Sequence, residues 1–241
     1  MLDDMWDRTA GATETFDAGR VASLPEAARR YLEHAIAPGA PLASAVRLRM
    51  QGEIKLGRWR RFQAEQVLHA GRGFVWQATV SFFGIPLVRG FDRLLDGAGE
   101  MRWKLLGIVP VMTASGADVT RSVVGRLEAE SLWLPSALVR PDVQWTARDA
   151  RHVAATFPGA DTVDFAIDER GRLESISLQR WGNPGGGAFR SVKFGGVIEE
   201  ERAFDGYTVP TRVRVGWYFG SPRFDAEGEF FRATIEHATF R

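Results

Sequence analysis

The chain has 241 residues, 45% of them apolar and 25% charged, with 31 basic against 30 acidic side chains and no cysteine. Composition of this kind is globular and allows a sizeable core. The balanced charge argues against nucleic acid as a partner, and without cysteine there are no disulfides, thiol nucleophiles or thiolate metal sites.

A cysteine-free chain fits a reducing cytosol, so a cytoplasmic location is expected. The start, Met1-Leu-Asp-Asp-Met-Trp-Asp, is acidic and has no apolar h-region of a secretory signal. The longest low-charge stretch, 105–117, is shorter than the roughly 20 residues a spanning helix needs and contains Pro110. No membrane span is expected.

In chain order, residues 1–22 are polar and uneven, with Phe16 and Val21 as isolated anchors, and read as a loosely structured lead-in. Ser23-Leu-Pro-Glu26 has the form of a capping box with proline in the first turn. Leu24, Ala28, Tyr31, Leu32, Ala35 and Ile36 then follow at helical spacing, which predicts a helix over about 24–37 that ends at Pro38-Gly39.

From Ala45 the period becomes two. Val46, Leu48, Met50, Ile54 and Leu56 alternate with Arg47, Arg49, Gln51, Glu53 and Lys55, the signature of a strand with one wet face. A second strand carries Phe62, Ala64 and Leu68. A third, 74–83, is apolar on both faces, so both sides should be covered. Residues 87–95 and 100–106 form a hairpin about Asp96-Gly97. Ser115 with Asp118 opens a second predicted helix, about 116–132, whose stripe is Val119, Val123, Leu127 and Ser131 and which Pro135 terminates.

Alternation then continues through 143–150, 152–157, 162–168, 173–181, 189–204, 208–219 and 230–240, with tight turns at Asp168–Gly171 and Asp205-Gly206. Gly182-Asn-Pro-Gly-Gly-Gly187 reads as a loop. Strands joined by hairpins without helix-length gaps make an antiparallel meander. The expected fold is mainly β (α+β): one large curved antiparallel sheet, half-barrel-like, with both helices on its concave side and a single domain over 23–241.

Short motifs in a fixed order carry a resemblance. Leu24-Pro25 with Arg30-Tyr31-Leu32, Gln51-Gly52, Trp59 with Phe62, Phe74-Val-Trp76-Gln-Ala78, Asp92, Gly97-Ala-Gly99-Glu-Met101, Glu128-Ala-Glu130, Leu134-Pro135, Trp145, Val209-Pro210 and Trp217 run over nearly the whole chain from Phe16. In this the chain resembles a bacterial family of unknown function that is itself similar to the lipoprotein-carrier (LolA/LolB-like) half-barrel superfamily. The resemblance implies a curved sheet wrapped around helices, holding acyl chains or other apolar matter. It brings no activity with it, and the missing secretion signal sets the chain apart from periplasmic carriers.

Catalytic motifs are scarce. There is no Gly-x-Ser-x-Gly elbow, P-loop or dinucleotide fingerprint. His34, His69, His152 and His237 are scattered, so no metal and no cofactor are expected. Arg58, Arg60 and Arg61 read as a solvated strand edge, as do Glu199, Glu200 and Glu201.

Glu128 borders the apolar stripe of the second helix. Facing the sheet, it would need an arginine partner, Arg89, Arg102 or Arg121 being candidates. It could then anchor a ligand headgroup, act as acid or base, or fix the fold as an ion pair. Eight tryptophans and 16 phenylalanines are a heavier signal. Phe74, Trp76, Trp103 and Trp145 lie within strands and, with Glu128, make up the predicted ligand-binding set; packing directly on the helices is the competing role for the rings. The expected partner is a hydrophobic small molecule or lipid. The alternatives are an enzyme using Glu128 and an interaction module pairing through an edge strand. Oligomeric state is left open.

Overall fold

The computed structural model describes residues 1–159 and 161–241. Its first meander runs β1 (Ala45–Leu56), β2 (Arg58–His69), β3 (Gly73–Phe82), β4 (Ile85–Leu95), β5 (Ala98–Leu105) and β6 (Val109–Ser115). The second runs β7 (Gln144–Ala147), β8 (His152–Thr156), β9 (Thr162–Ile167), β10 (Leu173–Gly182), β11 (Arg190–Phe204), β12 (Tyr207–Trp217) and β13 (Glu229–Phe240). Antiparallel pairing of β1 with β13, Val46 opposite Phe240 and Leu48 opposite Ala238, joins the two into one 13-stranded sheet.

The sheet is open, with β6 and β7 as its two edges. Register shifts between β1 and β13, β3 and β4, β5 and β6, β9 and β10, β11 and β12, and β12 and β13 mark bulges or irregularities of the kind that bend a strand and raise its twist. The result is the curved, mainly antiparallel sheet with N-terminal and mid-chain helices that the alternation predicted.

Both helices lie on one face. In α2 (Glu26–Ala35), Ala28, Tyr31, Leu32 and Ala35 are buried in the main core, and the helix packs near β12, β7 and β8. Burying a side chain the size of leucine or tyrosine is worth about 1.5–3 kcal/mol. The chain from β6 to β7 crosses the sheet's inner face as α3 (Ala117–Ala129) and two 3-10 turns, Glu130–Trp133 and Pro135–Leu138. This crossing closes over apolar surface that an open sheet would otherwise expose.

Several expectations need correction. Neither serine caps its helix: α2 begins after Pro25, and α3 after Gly116, whose φ of 103° lets the chain swing out of β6 into the helix. The low-charge stretch holds a further strand, β6, whose pairing with β5 overrides its proline. In the lead-in segment, Leu2–Asp7 form α1, and Leu2 and Met5 cover Val67 and Val75 on the outer face. Strand β3 is therefore covered on both sides, though by a segment that looked unstructured. Phe83 is not in that strand; it is 90% exposed in a turn, at a φ of 54°.

Candidate functional site

On the strands the site follows from parity. In β2, Gln66 is in phase with the buried Phe62, Ala64 and Leu68; in β4, Asp92 is in phase with Leu94; in β10, Arg180 is in phase with Ile176 and Leu178. Period two thus sends three polar side chains to the apolar inner face. On α3 the residues facing the same space are Val119, Ser122, Val123, Arg126 and Ala129, followed by Glu130 at the start of the next 3-10 turn. Of the predicted stripe, Val119 and Val123 face this space, whereas Leu127 and Ser131 do not.

A cavity of about 340 Å³ lies between these elements. Its sheet wall is apolar, formed by Ile198, Val213, Val215, Trp217, Phe230 and Phe231, with Trp76 and Phe194 alongside. The aromatics brace one another. Phe62 stacks on Phe231 at 5.0 Å, Trp76 meets Trp103 at 5.6 Å, and Phe194 meets Trp217 edge-on at 5.1 Å. A larger hollow, about 740 Å³, is an open furrow on the sheet's outer face edged by Arg49, Gln63, Glu65 and Arg89, and it encloses little.

One end of the cavity is charged. Arg126 donates from Nη1 to Asp92 Oδ2 at 2.9 Å and from Nε to Glu130 Oε1 at 2.6 Å. Trp103 Nε1 donates to Asp92 Oδ1 at 3.0 Å, and Gln66 Nε2 to Glu130 Oε2 at 2.5 Å. All four carboxylate oxygens therefore have a donor. The Arg126 guanidinium lies 4.7 Å from the Phe74 ring centroid and 5.1 Å from that of Trp76, so the rings support the cation as well as the wall. Burial pushes the Asp92 pKa up, while the Arg126 charge and the Trp103 donor oppose it. Burial also works against the charge of Arg126, but Glu130 and Asp92 outweigh it and hold the guanidinium above its ordinary value.

Arg180 is different. It is 8% exposed and donates to Ser122, from Nε to the carbonyl at 3.0 Å and from Nη2 to the hydroxyl at 3.5 Å. Its guanidinium lies over Phe194 at 4.6 Å and Trp217 at 5.2 Å. Burial and the Arg126 charge lower its pKa to about 10. Helix α3 comes close enough for this contact because residue 125 is glycine. A Cβ there would stand 3.2 Å from Arg180 Cγ. Gly99 does the same under β5, where a Cβ would meet Val123 Cγ2 at 2.6 Å.

The five predicted site residues divide. Trp76 lines the cavity; Phe74 and Trp103 stand beside it as supports for Arg126 and Asp92. Trp145 is elsewhere, packed on Phe165 at 5.4 Å and donating to the Leu138 carbonyl. Glu128 is buried, at 4% exposure, but does not line the cavity. Among the described residues no arginine pairs with it and no side chain donates to it; what favours its charged form is the backbone N–H of Asp161. Desolvation, helped by the Asp161 charge, raises its pKa to about 8. Arg126 and Arg180 did not emerge as site residues from the sequence, and Asp92 and Glu130 appeared only within a run of family-like motifs. In-phase polar residues on apolar strand faces were the available signal for Asp92 and Arg180.

With this geometry in view, the family can be stated. The profile of the Family of unknown function (DUF6544) matches residues 14–226. The chain belongs to this family. No curated protein matches the chain. Among solved structures it is similar to a LolA superfamily protein from Nitrosomonas europaea, at 11% identity and a TM-score of 0.47, over 89% of this chain and 92% of that one. It is also similar to a DUF1329 family protein from Desulfovibrio piger, at 10% identity and a TM-score of 0.47, over 82% and 86%. No helix among the described residues is long and apolar enough to cross a membrane.

Proposed function

We propose that this protein binds one apolar small molecule, or a single lipid chain, in the cavity between α3 and the sheet. The supporting observation is the hollow of about 340 Å³ with an aromatic and aliphatic sheet wall and a few polar side chains among its lining residues. Small-molecule sites span roughly 300–1,000 Å³ and share this pattern of apolar lining with a few placed polar groups. A volume near the lower bound suits one chain or a compact ring system and excludes a lipid with several acyl chains. Trp76, Phe194, Trp217 and Phe231 would contact the guest, with Phe74 and Trp103 behind them. The absence of cysteine supports a cytoplasmic setting.

The test is a neutral apolar fluorophore, N-phenyl-1-naphthylamine, titrated into the protein. Saturable enhancement is expected, and Ile198→Trp, which puts an indole into the hollow, should weaken it at least about tenfold while leaving the unfolding midpoint near wild type. Unsaturable signal, or equal binding by the filled variant, would remove the reading. An acid–base role for Glu128 has no geometric support at this cavity, because that side chain lies outside it.

A second reading has its own observation. The edge strand β6 exposes Val109, Val111 and Met112, an apolar edge of the kind that pairs with another strand. If it pairs between copies, light scattering should give a mass above the monomer at micromolar concentration, and Val111→Lys should return it to monomer. A monomeric wild type at all concentrations would dispose of self-pairing.

A further inference from the structure

We infer that the ligand of the cavity carries a carboxylate head, held by an ion pair with Arg180, and that its apolar body extends along the aromatic wall. This rests on the cavity being a ligand site and goes further by assigning the chemical class.

The argument is a count of open polar valences. Two acids and two arginines face or border the charged end. Each carboxylate oxygen already accepts one donor: those of Asp92 from Trp103 and Arg126, those of Glu130 from Arg126 and Gln66. Arg126 makes both of its ion pairs within this group. Arg180 makes no salt bridge among the described residues; its neighbours are a carbonyl, a hydroxyl and two aromatic rings. Asp92 and Glu130 act on it only through space. Its Nη1 has no partner among the described residues, although the side chain lines the cavity.

A buried guanidinium in contact with no anion is costly, and its fork matches a carboxylate in two parallel hydrogen bonds. Ser122 holds the other edge of the guanidinium, which fixes the plane in which a head must arrive. Asn183 lines the same cavity, its amide donating to the Gly187 carbonyl at 3.5 Å. The Trp76 indole N–H also lacks an acceptor, while Gln66 Oε1, in the group around Glu130, is an acceptor without a donor among the described residues. An incoming ammonium would meet carboxylates already engaged by Arg126 and the like charge of Arg180, and a neutral chain would leave Arg180 as it is.

The experiment displaces N-phenyl-1-naphthylamine from the wild-type protein with decanoate, decanol and decylamine at pH 7.5. Decanoate should compete about tenfold or more better than decanol, since a charge-assisted hydrogen-bond pair is worth that much or more, and decylamine should be the weakest. In Arg180→Met the preference for acid over alcohol should vanish while decanol competes as before; Arg180→Lys should retain part of it. Equal competition by decanoate and decanol in the wild type overturns the inference even if Arg180→Met does not fold, and a preference that survives in a folded Arg180→Met overturns it too. In either case binding of the neutral probe leaves the cavity reading standing. If the probe does not bind at all, both fall.

Discussion

Replacing Arg126 by methionine is expected to cost about 3–5 kcal/mol of stability at neutral pH, the loss typical when one partner is removed from a buried ion pair. Among the described residues the guanidinium is the only cationic donor to Asp92 and to Glu130, and all three side chains are at least four-fifths shielded from solvent. Its removal leaves two carboxylates against aromatic rings in a medium that solvates them poorly. Urea unfolding checks the loss. It should shrink as the pH falls towards 4, where the stranded acids are protonated in the folded state and ionisation no longer favours the unfolded chain. The triple change Arg126→Met, Asp92→Asn, Glu130→Gln should recover most of the stability, because the cost lies in the unpaired charges. A triple variant as weak as the single one would mean that packing of the arginine on Phe74 and Trp76 was the main contribution.

Glu128→Gln is expected to act in the opposite direction, and the sign follows from its raised pKa. The folded state holds the proton up to about pH 8, whereas an unfolded glutamate releases it near 4.5. The carboxyl is therefore neutral in both states at low pH and costs nothing extra there. As the pH climbs through that window, ionisation increasingly favours the unfolded chain, a loss on the order of 3–5 kcal/mol. Glutamine keeps the shape and cannot ionise. The variant should match the wild type near pH 4.5 and exceed it at pH 8, read as the difference between the two urea midpoints at each pH. Other titrating groups, such as Glu229 held down to about 2 by Arg214 and Arg232, cancel in that difference. Parallel curves for the two proteins would show that Glu128 is ionised and compensated.

Most of the architecture was legible because it is local. Alternation along 45–56 or 173–181 reports which side chains face apolar surroundings, and Asp96-Gly97 and Asp205-Gly206 adopt the positive φ values that tight hairpins demand. Helix phase was harder to read. In α3 the apolar residues Val119, Val123, Val124 and Leu127 spread over more than one side, so the stripe alone leaves the orientation open by tens of degrees. That rotation separates Glu128, buried beside the sheet, from Glu130, which faces the cavity. Strand β6 was missed because its partner β5 sets its conformation more than its own residues do.

By itself the sequence determined a meandering antiparallel sheet with two helices, an apolar inner face and the parity that turns Asp92 and Arg180 inward, since each of these depends on residues a few positions apart. Only the tertiary structure decided that β1 pairs with β13, that Arg126 satisfies two acids from different elements, and that Arg180 is left with no carboxylate. Apart from the i, i+4 contact of Arg126 with Glu130, those outcomes join residues tens to nearly two hundred positions apart, and they are settled by which burial and charge pairing is cheapest once the sheet has curved around α3. No local periodicity carries that information.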